Sequence, residues 1–189
     1  MDVLIVVNTL DGVSPKQSTA DIAAGLVRRG HGVWFAGVGT LGLGADDVAT
    51  ARAVPAGADG LPSGDAERRG LDAFDRVLMR TNPARDPGRG WAHAVALDLL
   101  AHTRDLGGIV LNDPDGLRRA GSKLYHLAVP PRLRPRTLVS RDRAELRAFV
   151  AEEGRAVLKP LAGTQGRDVF FVEGAGNLNQ IIDVLVRDG

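Results

Sequence analysis

Val3 to Val7 is an unbroken apolar run, rich in β-branched residues, that ends in the turn-forming stretch Asn8 to Gly12. A strand without polar alternation is buried on both faces, as strands inside a parallel sheet are, and a parallel neighbour requires a helical crossover. The residues that follow predict one. Ser18 is a suitable N-cap, Ile22, Leu26 and Val27 fall on one helical face, Gly30 closes the helix, and Val33 to Val38 supplies a second strand. The first forty residues therefore read as a β-α-β unit.

The same alternation continues, with one interruption. Residues 39–70 are rich in Gly, Ala and Pro and carry no assignable period. After them, Arg76 to Arg80 reads as a strand entering the loop TNPARDPGRG, Trp91 to His102 as a helix, and Gly108 to Asn112 as a further strand. Alternating strands and helices imply a parallel sheet covered on both faces. Beyond Pro114 the pattern changes. Residues 121–129 suggest a short helix carrying Lys123, PPRLRPRT is a proline-stiffened basic link, and Thr137 to Ser140 reads as a strand. Asp142 can cap a helix with Leu146 and Phe149 inward and Gly154 at its end; Ala156 to Leu161 is a strand, Asp168 to Glu173 another, and Leu178 to Val186 a final helix.

Composition removes several function classes. The 24 basic and 23 acidic residues leave a formal net charge of +1, so there is no general electrostatic attraction for nucleic acid or anionic lipid. With no cysteine there are no disulfides, thiolate metal sites or cysteine nucleophiles, which suits a cytoplasmic protein. The opening segment has neither the basic flank nor the cleavage pattern of a signal peptide, and no run approaches membrane-spanning length.

Of the basic residues, 21 are arginine and only Lys16, Lys123 and Lys159 are lysine. In so biased a chain a retained lysine marks places where a compact ammonium differs in effect from a forked guanidinium, and phosphate binding is one such task. Lys159 stands directly before the glycine-rich turn of VLKPLAGTQGRDVFF, whose main-chain N–H groups could close over a polyphosphate; an ordinary hairpin with a glycine tip has the same composition. Gly37 to Gly42 is a literal G-x-G-x-x-G, but it follows the second strand and opens no helix, which is the wrong context for a dinucleotide fingerprint. His31, His93, His102 and His126 show no metal-type pairing, so structural roles are expected for all four.

Four segments, in order, carry a resemblance: VLMRTNP at 77–83, IVLNDPDGLRRAGSKLYHL at 109–127, PRTLVSRDRAELRAFV at 135–150 and AVLKPLAGTQGRDVFFV at 156–172. Together they resemble the bacterial-type glutathione synthetase branch of the ATP-grasp carboxylate–amine ligases. The resemblance implies an α/β fold, with a Rossmann-like, pre-ATP-grasp parallel-sheet domain over 1–118 that binds substrate. A partial α+β ATP-grasp domain follows over 119–189. It implies that ATP phosphorylates a carboxylate to an acyl phosphate, which an amine then attacks, with Mg²⁺ assisting. Lys123 and Lys159 inherit contacts to the ATP phosphates, and Gly163, Thr164, Gln165, Gly166 and Arg167 form the loop over the triphosphate. Arg80 inherits a place in the catalytic, anionic-peptide pocket, joined by Lys16 and Ser18. The implied partners are a small peptide or amino-acid substrate and a second copy of the chain, with neither nucleic acid nor membrane.

The resemblance has departures. The loop after Met79-Arg80 lacks the family's usual aromatic, and Gly-Thr-Gln-Gly-Arg is also similar to the loop of related amino-acid ligases, which leaves the substrates open. The sequence stops at Asp188-Gly189, whereas the family continues into a segment bearing the magnesium ligands. The expectation is an incomplete chain with no metal site of its own, which alone has little or no ligase activity and binds ATP weakly. Glu152, Glu153, Asp168 and Glu173 have no spacing that would replace a two-magnesium site. A ligase for another amino acid, a non-catalytic binding module derived from the fold, and an NAD-linked oxidoreductase using Gly37 to Gly42 are the alternatives.

Overall fold

The computed structural model describes residues 1–161, 166–174 and 176–187. Two compact units make up the chain, Met1–Arg119 and Ala120–Gly189.

The first unit is built on a mixed sheet. Its elements are β1 (Asp2–Val7), α1 (Ser18–Arg28), β2 (Gly32–Gly37), β3 (Gly42–Leu43), β4 (Ala49–Pro55), β5 (Glu67–Gly70), β6 (Arg76–Met79), α2 (Gly90–Asp105), β7 (Val110–Leu111) and α3 (Pro114–Ala120). The strands run in the order β3-β4-β2-β1-β6-β7, with β5 also paired to β4. The β2-β1-β6-β7 half is parallel, as the β-α-β pattern requires, with Val3 opposite both Val33 and Arg76. Period two divides β1 between two cores. Val3, Ile5 and Val7 join Val33 and Phe35 beneath Ala23 of α1, while Leu4 and Val6 join Ala36, Val77 and Met79 beneath Ala92, Ala96 and Leu100 of α2. Each fully buried side chain such as Leu4, Ile5 or Phe35 contributes about 1.5–3 kcal/mol.

The stretch that resisted assignment forms the antiparallel half of the sheet, β4 pairing with β2, β3 and β5. Strand β4 does alternate, with Ala49, Ala51 and Ala53 inward, but small alanines carry a weak strand signal. The guanidinium of Arg69 on β5 lies 4.4 Å from the Trp34 ring centre and 4.7 Å from that of Phe74, fastening the extension to the sheet. Gly37 ends β2, Val38–Thr40 is one 3₁₀ turn and Gly42 starts β3, so the G-x-G-x-x-G opens no helix.

The second unit contains a 3₁₀ turn at Lys123–Ala128, α4 (Arg143–Glu153), the antiparallel pair β8 (Arg155–Leu158) and β9 (Phe170–Glu173), and α5 (Leu178–Arg187). The helices lie on one face of the hairpin, enclosing Val150, Val172, Leu178 and Ile182. Asp142 caps α4 as expected, its Oδ1 accepting from the amides of Ala144 at 2.6 Å and Glu145 at 3.1 Å, and Gly154 ends it with φ +72°.

Three expectations need correction. Residues 137–140 are irregular, because no strand pairs with them among the described residues and Leu138 and Val139 are exposed. The short helix expected over 121–129 is a 3₁₀ turn at Lys123–Ala128, and it is preceded by α3, for which no helix was expected. Ser18 is the first helical residue, and extended Gln17 occupies the cap position without a side-chain cap hydrogen bond.

Candidate functional site

Two polar clusters stand out, one in each unit. In the first unit, β1 and β6 run parallel and side by side, and their carboxyl ends release Asn8 and Arg80 at the start of α1. In open α/β sheets that end is where ligands bind. Arg80 is held in place by its main-chain N–H, which donates to the Val6 carbonyl at 2.8 Å. Its Nη2 donates to Ser18 Oγ at 2.8 Å and its Nε to Thr19 Oγ1 at 3.5 Å. The structure therefore brings Arg80 and Ser18 together. Released from capping, Ser18 directs its hydroxyl to the guanidinium, so a cation lies over a helix start that lacks a side-chain acceptor, an arrangement suited to an anion. Lys16 is exposed just before the helix and is not among the groups that Arg80 contacts.

The adjoining loop is fixed by contacts that reading residues one at a time did not reveal. Asn8 Nδ2 donates to the Asn82 carbonyl at 2.9 Å, and the Asn82 N–H returns to Asn8 Oδ1 at 2.7 Å. Further on, the Asp86 carboxylate accepts from Arg89 Nε at 2.9 and 3.1 Å and from His93 Nε2 at 3.0 Å. Burial pushes the Asp86 carboxyl up, but the hydrogen bonds from Arg89 and His93 outweigh it and hold the group below the usual carboxylate value. The signal available in the sequence was the spacing of Asp86, Arg89 and His93, which places the three within two turns at the entry to α2.

In the second unit the two singled-out lysines converge. The half-buried Lys123 lies on the 3₁₀ turn, which Ser122 caps by accepting from the Leu124 amide at 3.1 Å and which His126 braces through Nδ1, donating to the Lys123 carbonyl at 2.6 Å. Its Nζ donates to the Pro160 carbonyl, the residue after Lys159. Burial first, and then the positive charge of Lys159, lower the Lys123 ammonium below the usual lysine value. Two cations close enough to repel favour a bound anion. Strand β8 ends at Leu158, so Lys159 is exposed at its mouth and not within it. Within β8, Val157 is 56% exposed opposite Phe171 at 65%, a cross-strand apolar pair that the sequence reading did not single out. Gly166, with φ +74°, and Arg167 lie on the exposed turn before β9; Gly163, Thr164 and Gln165 lie outside the described residues.

Family models match both parts of the chain. Residues 1–118 match the N-terminal domain of prokaryotic glutathione synthetase and residues 122–189 its ATP-grasp domain. The chain belongs to the prokaryotic glutathione synthetase family. The glutathione synthetase of Gloeobacter violaceus is 36% identical over 197 residues, covering 100% of this chain and 60% of the relative. That of Xanthomonas axonopodis pv. citri is 34% identical over 193 residues, covering 98% of this chain and 59% of the relative. The chain thus spans about 60% of the length of these curated relatives. Among solved structures, the ATP-grasp ligase PsnB complexed with precursor peptide PsnA2 and AMPPNP aligns with a TM-score of 0.56 at 21% identity, over 97% of this chain and 61% of PsnB. The same ligase with minimal precursor, Mg and ADP also scores 0.56, and the likeness places this glutathione synthetase family member in the ATP-grasp fold.

A nucleotide phosphate chain fits the paired lysines by charge. Among the described residues no group of three or more His, Asp or Glu could hold a metal ion. No helix among them is long and apolar enough to cross a membrane.

Proposed function

We propose that this chain carries the nucleotide-phosphate contacts and the acidic-substrate contacts of an ATP-dependent carboxylate–amine ligase of the glutathione synthetase type, acting in the cytoplasm. The observation that carries the reading is the convergence of Lys123 and Lys159. Phosphoryl transfer is accelerated chiefly by positioning and by cations around the transferring group, not by a protein nucleophile. ATP supplies the phosphoryl group that activates a carboxylate. Lys123, anchored by its bond to Pro160, and Lys159 neutralise the phosphates. The exposed Val157–Phe171 face offers an apolar surface for the base, since a planar heteroaromatic ring stacks on exposed aromatic and aliphatic groups. The turn containing Gly166 and Arg167, with Gly163, Thr164 and Gln165 before it, is proposed to exclude water from the triphosphate. In the first domain, residues 1–118, Arg80 over Ser18 binds a carboxylate of a peptide substrate, with Lys16 adding charge at the rim. Residues 119–189 are assigned the nucleotide.

Calorimetric titration with ATP tests the nucleotide half. Wild type binds, and Lys123→Ala and Lys159→Ala each weaken binding by about tenfold or more, the scale of one charge-assisted hydrogen bond. ATP affinity unchanged in Lys159→Ala would falsify the assignment.

A further inference from the structure

Between β6 and α2 the chain makes two successive 3₁₀ turns, Pro83–Arg85 and Pro87–Arg89, and lies in no strand or long helix. Such a segment has no strand ladder to hold it to its neighbours, so its side-chain ties bear on its place. One end is tied to β1 by the Asn8–Asn82 pair. The other is tied to α2 through Asp86 and His93. His93 is 3% exposed, and its Nδ1 is buried without a hydrogen-bond partner among the described residues. A ring that served packing alone would be replaced to advantage by an apolar side chain, because an unsatisfied buried nitrogen costs free energy. What the imidazole gains is its Nε2 contact with the Asp86 carboxylate.

We propose that His93 is a positioning residue, latching the 82–89 loop to α2 through Asp86 so that Asn82 remains on Asn8 beside the Arg80–Ser18 cluster. It touches no substrate. The inference rests on the reading of that cluster as an acidic-peptide subsite, and it assigns the subsite's order to a contact outside it.

Two measurements on the whole chain separate the latch from the subsite: hydrogen exchange of the unliganded protein, and affinity for glutathione as the probe. The amides of Arg85, Asp86 and Arg89 donate to the carbonyls of Asn82, Pro83 and Asp86 and report directly on the loop. In His93→Phe these amides exchange about tenfold faster or more, β1 amides do not change, and glutathione binds several-fold more weakly. His93→Gln, whose amide can still donate to Asp86, stays near wild type in both. Should His93→Phe fail to fold, Asp86→Asn decides, with the same loosening expected. Unchanged loop exchange, or a glutamine variant that behaves like phenylalanine, overturns the latch; a looser loop with unaltered glutathione affinity overturns its positioning role. If wild type does not bind glutathione the subsite reading fails, and the exchange comparison alone settles the latch.

Discussion

Lys123 carries a charge that its surroundings oppose. Burial and the neighbouring Lys159 both favour its neutral form, so its folded pKa lies below the unfolded value near 10.5. A group depressed in this way costs stability at every pH below its folded pKa, and the cost is relieved as pH rises from that value toward 10.5. An anion between the two amines reverses the effect. In Lys159→Met the repulsion is gone while the burial remains, so Lys123 titrates at higher pH than in wild type. ATP shifts Lys123 upward in wild type, and by less in the variant. Acylation of the amine as a function of pH, followed by mass spectrometry, reads both; a Lys123 indifferent to Lys159 would mean that the two charges do not share a ligand. These lysines were legible in the sequence because lysine is so rare in it. The Asp86–His93 pair was not, since a buried histidine with a carboxylate partner looks, residue by residue, like an isolated histidine in a helix.

The elements that the sequence announced are those whose apolar side chains are large. Strand β1 and its partners β2 and β6 were visible because Val, Leu, Ile and Phe mark strands buried on both faces, whereas β4 makes its inward face from alanines and was passed over. The error at 137–140 has the opposite origin: Thr137, Leu138 and Val139 have strand-forming side chains, but a strand exists only where another pairs with it. Between β4 and β5 the chain turns over α1 at Gly60, which has φ +77°. A Cβ there would lie 2.2 Å from the Ala20 carbonyl oxygen and 2.6 Å from the Ala24 nitrogen, both rigid helix backbone. Gly60→Ala combines a left-handed backbone penalty with overpacking and costs about 2 kcal/mol or more. Urea denaturation followed by circular dichroism measures it. Gly39→Ala, in open space with nothing within 4 Å of its Cβ, is the control and shifts the midpoint little.

At the scale of the molecule, the two units rest on cores of different size. The first encloses large side chains on both faces of its sheet; the second encloses Val150, Val172, Leu178 and Ile182 on one face of a two-stranded hairpin and leaves Val157 and Phe171 in solvent on the other. That difference was legible only in outline, because hydrophobic periodicity gives the inward face of α5 but not the exposure of the strand face opposite. A unit of this length has about 3–10 kcal/mol of net stability in all. Ile182 is 1% exposed, and removing its side chain leaves a cavity costing about 2–5 kcal/mol. Ile182→Ala therefore takes a large share of what holds the second unit together. Hydrogen exchange should show the amides of α4, β8, β9 and α5 losing protection by tenfold or more, while those of β1 and β6 keep theirs. Saturating ATP, which on the proposed reading binds only the folded second unit, then restores protection by about 2.7 kcal/mol at a hundred times its dissociation constant. Recovery that also occurs in the Ile182→Ala, Lys159→Ala double variant would show that ATP stabilises the unit without the paired amines.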